Sequence, residues 1–338
     1  AAQDATEPTA PMPRILRLLL RLSLLAAKGV EQESVELLQH GLQLSQAVPQ
    51  SAVLENALPM TWVHLPKCGS SFLNTLVHMK DFCPGIQVNT PVDQDTFGGY
   101  EYLFNFIAQC SSLCDTTMLY CPKVPHECLG EDWEAGKGTF VGMFRQPEQR
   151  ILSMYYDIQH EFHMYGPHSR LEEAAVQAGL IEPRPRPPMA EFAHLFGGTM
   201  AYQLIAHGAT ADSEYPPRSL GNPWDLPNRT LDMAEEAARR VKEGFAFVGI
   251  TEQWDLSVCL FHAMFGGPCR SLEFENTRPG NGNKSAEDLY DTTPLEGFID
   301  HVDRVVYQEA LRIFWHNLQK YNVSFETCQR TCFEPASL

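Results

Sequence analysis

Short apolar runs alternate with amphipathic stretches along much of the chain. Residues 140–144 and 245–250 are apolar runs of strand length, which predicts buried strands. Residues 232–243, 252–265 and 295–321 carry apolar positions at helical spacing, which predicts helices. This alternation is typical of an α/β fold with three layers, in which helices flank a mostly parallel central sheet. We therefore expect ligands to bind at the carboxyl ends of the strands.

Residues 61–76, TWVHLPKCGSSFLNTL, combine an apolar strand, a polar turn and a helix. A proline ends the strand, and Lys67 follows it. Gly69 permits positive φ and a close approach of the backbone to a ligand. Ser70 and Ser71 are favourable helix N-caps whose hydroxyls also suit phosphate oxygens. Because the positive end of the helix dipole faces Lys67, this stretch predicts an anion-binding corner. An ordinary strand-turn-helix corner with an exposed lysine is the alternative.

Residues 139–156, TFVGMFRQPEQRILSMYY, repeat the strand-turn-helix arrangement with other polar residues. Arg145 follows the apolar strand, while Arg150 and Ser153 lie three positions apart on one face of the next helix. A guanidinium fork and a hydroxyl match the oxygens of a phosphate dianion. The set therefore predicts a second phosphate contact. The alternative is that Arg150 is a surface charge paired with a neighbouring carboxylate.

These stretches resemble the sulfotransferases that use 3′-phosphoadenosine 5′-phosphosulfate (PAPS). PKCGSSF resembles their 5′-phosphosulfate-binding loop, and FRQPEQRILSMYY resembles their 3′-phosphate-binding strand and helix, including the spacing of Arg145 and Ser153. Residues 248–261, VGITEQWDLSVCLF, are similar to a later segment of the membrane-bound and carbohydrate branch. The resemblance spans roughly residues 59–321 in order, and it implies a P-loop-like architecture.

The resemblance also implies roles for individual residues. Lys67 would stabilise the leaving phosphate, and Arg145 with Ser153 would hold the 3′-phosphate. A sulfuryl group in transit carries less negative charge than a phosphoryl group, so we expect no metal requirement. The implied PAPS-binding residues are Lys67, Cys68, Gly69, Ser70, Ser71, Phe72, Arg145 and Ser153, with Arg278 and Lys284 from a glycine-asparagine loop. An ordinary solvated loop is the alternative for these last two residues.

The reaction needs a base to take a proton from the acceptor hydroxyl or amine. His126 and Glu127, in YCPKVPHECLG, occupy roughly the region where carbohydrate sulfotransferases place a catalytic side chain. A solvated histidine on a loop is the alternative interpretation of His126. We expect His64, within the first strand, to be a core or lining residue. Further candidates for the base are Glu101, His160, His163 and His168.

Composition and charge limit the domain organisation and the classes of partner that fit this chain. The 338 residues are 44% hydrophobic, enough for one substantial core. We expect an N-terminal extension with an amphipathic helix at residues 1–58, a sulfotransferase-like domain at 59–325 and a tail at 326–338. The formal net charge of −17 argues against nucleic acid and against a highly sulfated glycan. A neutral carbohydrate or small hydroxylated acceptor fits better, and the sequence leaves the oligomeric state open.

The ten cysteines and three Asn-x-Ser/Thr sequons, at Asn228, Asn283 and Asn322, favour the secretory pathway, with the Golgi lumen as the expected location. Cytoplasm and plastid are the alternatives. We expect disulfides, although sequence does not give their pairing, and the cluster from Cys110 to Cys128 has zinc binding as an alternative. Residues 15–27 are too short and too charged to span a bilayer. A membrane anchor upstream of residue 1 stays open.

Two other functions are alternatives to a sulfotransferase. A P-loop kinase or other nucleotide phosphotransferase would share the fold, but it would need ATP and Mg²⁺. The Walker sequence GxxxxGK[ST] places its lysine after the second glycine, whereas Lys67 precedes Gly69, which weakens this alternative. A non-catalytic nucleotide-binding protein on the same scaffold would keep the affinity and transfer nothing.

Overall fold

Three parallel strands form a small sheet in the computed structural model, which describes residues 49–156, 178–180, 187–208, 218, 220, 226–277 and 289–333. The strands follow the order β1-β2-β3: β1 is Thr61–Trp62, β2 is Phe140–Phe144 and β3 is Phe245–Ile250. Because all three are parallel, their carboxyl ends meet at one edge of the sheet. The predicted α/β class, with helices flanking a parallel sheet, is thus confirmed for the described residues.

Helices flank this sheet, and those predicted to start after residues 71, 146, 231 and 251 begin within about two residues of the expected positions. The α-helices in the described ranges are α1 Gln50–Asn56, α2 Leu73–Val77, α3 Tyr102–Leu113, α4 Trp133–Gly136, α5 Pro147–Tyr155, α6 Met189–Phe196, α7 Thr199–Ile205, α8 Leu231–Gly244, α9 Trp254–Phe265, α10 His301–Lys320 and α11 Phe325–Cys328. Single 3₁₀ turns precede α2 and α9, at Ser70–Phe72 and Thr251–Gln253. The predicted N-terminal helix lies outside the described residues.

Two elements are shorter than the sequence predicts, for local reasons. The apolar run of residues 60–65 pairs as a strand only at Thr61–Trp62, because the chain turns where the Leu65 N–H donates to the Val63 carbonyl at 3.1 Å. The last long helix starts at His301 instead of residue 295. Glu296 and Gly297 before it adopt positive φ, which interrupts a helix.

The core lies between the sheet and its helices. β2 is buried at all five positions, as expected of a central strand covered on both faces. Phe72, directly before α2, stacks on Phe247 of β3 with ring centroids 5.4 Å apart and meets Phe261 of α9 edge to face at 5.5 Å. Full burial of such a side chain contributes about 1.5–3 kcal/mol. These contacts fix the first loop against β3 and α9.

Helix α5 begins as its sequence predicts. Pro147 occupies the first helical position, and the side chain of Gln146 caps the helix by accepting a hydrogen bond from the Gln149 N–H at 2.6 Å. The helix is buried along most of its length. Its start therefore holds Arg145, directly before the cap, at the carboxyl end of β2.

Four disulfides join eight of the ten cysteines: Cys83–Cys114, Cys110–Cys121, Cys259–Cys328 and Cys269–Cys332. Three members of the cluster proposed for zinc are thus already bonded to other cysteines, so the zinc alternative is wrong. Cys68 and Cys128 are buried thiols. Disulfides at this density are typical of an oxidising secretory or extracellular compartment. No helix among the described residues has the length and apolar character needed to cross a bilayer.

Candidate anion-binding site

The segments that follow the three strands meet at the carboxyl edge of the sheet. Nη1 of Arg145, after β2, donates to the carbonyl oxygen of Lys67, after β1, at 3.2 Å. The N–H of Gln146 donates to Oε1 of Glu252, after β3, at 2.9 Å. Trp254 packs beside Gly69. The two motifs that the sequence singles out are therefore direct neighbours, 78 residues apart in the chain.

The loop after β1 has a backbone that suits an anion. Lys67 and Gly69 adopt left-handed φ values of 62° and 82°. A Cβ on Gly69 would lie 2.6 Å from Cζ3 of Trp254, so only glycine fits there. Within the described part of the chain, the N–H groups of Gly69, Ser70 and Ser71 donate to no protein acceptor. Three consecutive N–H groups at a helix start form an anion-binding concavity.

The side chains of this loop divide into anchors and site residues. Cys68 is 2% exposed, and burial raises the pKa of its thiol to about 12 despite the opposing effect of Arg150 and Arg145. Phe72 is fully buried, and its N–H donates to the carbonyl oxygen of Gly69 at 3.1 Å within the 3₁₀ turn. Cys68 and Phe72 therefore hold the loop on the core, while Lys67 is partly exposed.

Arg145 lies in a network that fixes its direction. Its side chain is 12% exposed, and its Nε lies 3.9 Å from Oε1 of Glu252. Oε2 of Glu252 accepts a hydrogen bond from the Tyr307 hydroxyl at 3.2 Å. Burial and the neighbouring Glu252 raise the pKa of Tyr307, which keeps this hydroxyl protonated. A guanidinium carries five N–H donors, and the bond to Lys67 uses one of them.

The residues on either side of the glycine-asparagine loop also contact the two motifs. The hydroxyls of Thr277 and Ser71 are 2.8 Å apart. Tyr290 exchanges two hydrogen bonds with the side chain of Gln149, at 2.9 and 2.7 Å, and its ring centroid lies 5.6 Å from the Arg145 guanidinium. The predicted ligands Arg278 and Lys284 themselves lie outside the described residues.

Arg150 does not share the site with Arg145, so both interpretations offered for it are wrong. It is fully buried, and its Nη2 donates to Oδ2 of Asp303 at 2.7 Å and to the Phe196 carbonyl at 3.1 Å. Burial raises the pKa of Asp303, and Arg150 opposes that rise. Arg150 therefore joins α5 to α6 and α10 as a structural ion pair. Ser153 is 6% exposed on α5, and its contact with a phosphate stays a prediction.

His126 and Glu127 line a cleft that opens to solvent. The ring of His64 stacks on Trp62 at 4.4 Å and lies 4.6 Å from the ring of His126. Nε2 of Gln203 donates at 3.0 Å to the carbonyls of both His64 and Glu127, which ties the cleft to the strand that leads to Lys67. The lining residues are Trp62, His64, Ile107, Pro122, Val124, Pro125, His126 and Glu127.

Glu127 is the acidic group of this cleft. Burial raises its pKa, while Arg218, whose Nε lies 2.9 Å from Oε1 of Glu127, lowers it. His64 is 8% exposed and lines the cleft, as expected. Glu101 is exposed at the end of a 3₁₀ turn, whereas the other candidate bases, His160, His163 and His168, lie outside the described residues.

Sequence reasoning missed the part of the site that follows β3. Glu252 and Tyr307 orient Arg145, and Trp254 closes on Gly69. One signal for Glu252 was present: it follows β3 closely, in the way that Arg145 follows β2, and parallel strands bring such positions together. Tyr307 had no signal, because it lies on α10, far along the chain.

Comparisons of the chain with protein-family models, with characterised proteins and with solved structures found no match. Within the described ranges, no group of three or more histidine, cysteine, aspartate or glutamate side chains is arranged to hold a metal ion. Function is therefore inferred from these residues and their geometry.

Proposed function

We propose that this protein is a sulfotransferase that moves the sulfuryl group of PAPS to a hydroxyl or amine of a carbohydrate or a small hydroxylated acceptor. The observation that carries the proposal is the contact between the two motifs, in which Arg145 donates to the Lys67 carbonyl at 3.2 Å. A donor with phosphates at both ends of an adenosine needs two such anion sites side by side. We also propose that the sheet is the centre of a three-layer, P-loop-like fold.

Each end of the donor has its own set of groups in this proposal. Lys67 and the N–H groups of Gly69, Ser70 and Ser71 bind the 5′-phosphate, since these N–H groups have no protein acceptor in the described part of the chain. Arg145 and Ser153 bind the 3′-phosphate. Glu252 holds Arg145 in place through the 3.9 Å ion pair.

Transfer breaks the bond between sulfur and the bridging phosphate oxygen and forms a bond between sulfur and the acceptor oxygen or nitrogen. Negative charge develops on the departing phosphate, where the Lys67 ammonium and the loop N–H groups stabilise it. The acceptor proton passes to a base, for which we propose His126 with Glu127 beside it. This stabilisation uses protein groups in the place where phosphoryl transfer uses Mg²⁺.

The cleft at His126 supports a neutral acceptor. Its lining is largely aromatic and apolar, and its charged member, Glu127, is balanced by Arg218. Sugar rings and other hydroxylated rings bind such surfaces through apolar faces and a few directed hydrogen bonds. The net charge of −17 points the same way, because a polyanionic acceptor would be repelled. The disulfides agree with a luminal setting, for which we propose the Golgi.

Transfer of ³⁵S-labelled sulfate from PAPS to a panel of neutral glycans and small alcohols, in EDTA, tests this function. The native protein should label at least one acceptor, and Lys67→Ala should lower the rate by about 10²–10³-fold. Lys137→Ala is the control, because that exposed lysine pairs with Glu243 away from the loop. Equal background labelling by the native protein and Lys67→Ala would overturn the proposal.

A parallel assay with γ-³²P-labelled ATP and Mg²⁺ separates the kinase alternative. We expect no phosphoryl transfer to the same panel. Binding of the donor without transfer to any acceptor would favour the non-catalytic alternative.

A further inference from the structure

Two of the three Asn-x-Ser/Thr sequons lie in the described part of the chain, and both of their asparagines are exposed. Asn228 precedes α8, and Asn322 follows α10 in a left-handed turn with φ of 53°. The third, at Asn283, lies outside the described residues. The four disulfides are typical of the compartment in which N-linked glycans are added.

The hydroxyl of each of these two sequons caps a helix in the folded protein. Oγ1 of Thr230 accepts a hydrogen bond from the Met233 N–H at 3.3 Å and caps α8. Oγ of Ser324 accepts from the Thr327 N–H at 3.2 Å in a capping box that starts α11. An enzyme that glycosylates a sequon has to bind this hydroxyl together with the asparagine, so the cap and the enzyme compete for it.

The chain around both sequons is also held in place. The Arg229 guanidinium donates to the carbonyls of Leu195 at 2.7 Å and Gly197 at 2.9 Å. On the other side, the Thr327 hydroxyl donates to the Asn322 carbonyl at 3.2 Å. The backbone around each of these two sequons is therefore held in place once these bonds have formed, although each asparagine stays on the surface.

We propose that Asn228 and Asn322 carry N-linked glycans that are added before the starts of α8 and α11 fold. The donor is a lipid-linked oligosaccharide pyrophosphate. A bond forms between the asparagine Nδ2 and the anomeric carbon of the first sugar, the bond from that carbon to the pyrophosphate oxygen breaks, and the amide proton passes to a base of the transferring enzyme. This proposal does not depend on the sulfotransferase function, since it rests on the sequons, their exposure and the disulfides.

The site assignment is tested on the full chain secreted from a eukaryotic host. Peptide-N-glycosidase treatment in H₂¹⁸O converts each glycosylated asparagine to ¹⁸O-labelled aspartate, which peptide mass spectrometry locates. We expect the label at Asn228 and Asn322, and the loss of one glycan each in Asn228→Gln and Asn322→Gln. Asn317→Gln, on α10 outside any sequon, is the matched control and should lose none. Folded protein that carries no label at either position would overturn the proposal.

The order of events is tested in a second experiment. One preparation of the glycosylating enzyme is given the unglycosylated chain in two forms. The reduced, unfolded chain should accept glycans at both positions, whereas the oxidised, folded chain should accept none. Equal glycosylation of the folded chain would contradict the proposed order. Both arms are read by mass, so their outcome is separate from that of the sulfate-transfer assay.

Discussion

Arg145 and Arg150 lie five positions apart, and both were candidates for phosphate binding, but the fold gives them different partners. Arg145 lies at the carboxyl end of β2, is 12% exposed and contacts the loop at Lys67. Arg150 lies inside α5, is fully buried and pairs with Asp303. In the sequence, residue type and spacing indicate phosphate binding equally for both arginines. Position relative to the edge of the sheet separates a candidate ligand group from a structural ion pair.

Because of this difference, the two arginines can be tested separately, one by the stability of the fold and the other by the binding of an anion. A substitution of Arg150 acts on the packing of α5 against α10, whereas a substitution of Arg145 acts on the loop and on any anion bound there. The following substitutions test this separation, from the largest expected effect to the smallest.

Arg150→Met should have the largest effect, a loss of about 3–5 kcal/mol in the free energy of unfolding, because it leaves a buried carboxylate without its partner. Urea unfolding measures this loss. Arg312→Met is the matched control, since Arg312 is exposed and pairs with Glu309 one turn earlier on α10; it should cost less than about 1 kcal/mol. Equal losses in the two variants would contradict the structural role of Arg150.

The pH dependence of Arg150→Met sharpens the same test. Without Arg150, burial raises the pKa of Asp303 further, so the folded variant keeps a proton that the unfolded chain releases at about pH 4. Its stability should therefore fall as the pH rises from 5 to 8, more steeply than that of the native protein. Parallel pH profiles would show that Arg150 does not influence the ionisation of Asp303.

Arg145→Gln should have little effect on folding but should weaken binding of adenosine 3′,5′-bisphosphate by about 10–100-fold, the worth of one charge-assisted contact. Isothermal titration calorimetry in EDTA measures the affinity. Arg240→Gln is the control, because Arg240 pairs with Glu236 on α8, and it should bind as the native protein does. An unchanged affinity in Arg145→Gln would remove Arg145 from the site.

Glu252→Gln should weaken the same binding by up to about 10-fold, because it removes the charge that holds Arg145 while keeping an oxygen for the Gln146 N–H. Glu275→Gln, an exposed position on the segment after α9, should change nothing. A tighter complex in Glu252→Gln would mean that Glu252 repels the ligand more than it orients Arg145.

Tyr307→Phe should have a smaller effect, a loss of about 0.5–1.5 kcal/mol in stability with an affinity change of only a few-fold, because it removes one hydrogen bond to Glu252. Unfolding and calorimetry on the same sample give both numbers. A loss of affinity larger than that of Arg145→Gln would show that Tyr307 contacts the ligand itself.

Cys68→Ala should change the affinity by less than about two-fold. The thiol is buried, and its pKa of about 12 keeps it protonated at every pH used for binding. A ten-fold loss would show that Cys68 faces the ligand.

Much of the fold could be predicted because its elements carry local signals. The strand at residues 245–250 was predicted to the residue from an apolar run, and the start of α5 followed from Gln146 and Pro147. The loop at Lys67 was predicted as well, because a glycine between a strand and a helix favours a turn with positive φ.

The partners of these residues could not be predicted, because they come from distant parts of the chain. Asp303 follows Arg150 by 153 residues, and the pair forms only when α10 packs on α5. The disulfides depend in the same way on which cysteines the fold brings together. The local sequence pattern therefore predicted the positions of the candidate ligand groups. Long-range packing determined which of them reach the site.

Calorimetric titration of the native protein and of Arg145→Gln with adenosine 3′,5′-bisphosphate, in EDTA and with ATP as the comparison ligand, tests the central claim most directly. Lys67 with its loop and Arg145 are proposed to bind the two phosphate ends of one adenosine. The account predicts metal-independent binding of the bisphosphate to the native protein, weakened by at least about 10-fold in Arg145→Gln, and no comparable binding of ATP. Absence of bisphosphate binding, or binding of ATP that requires Mg²⁺, would contradict it.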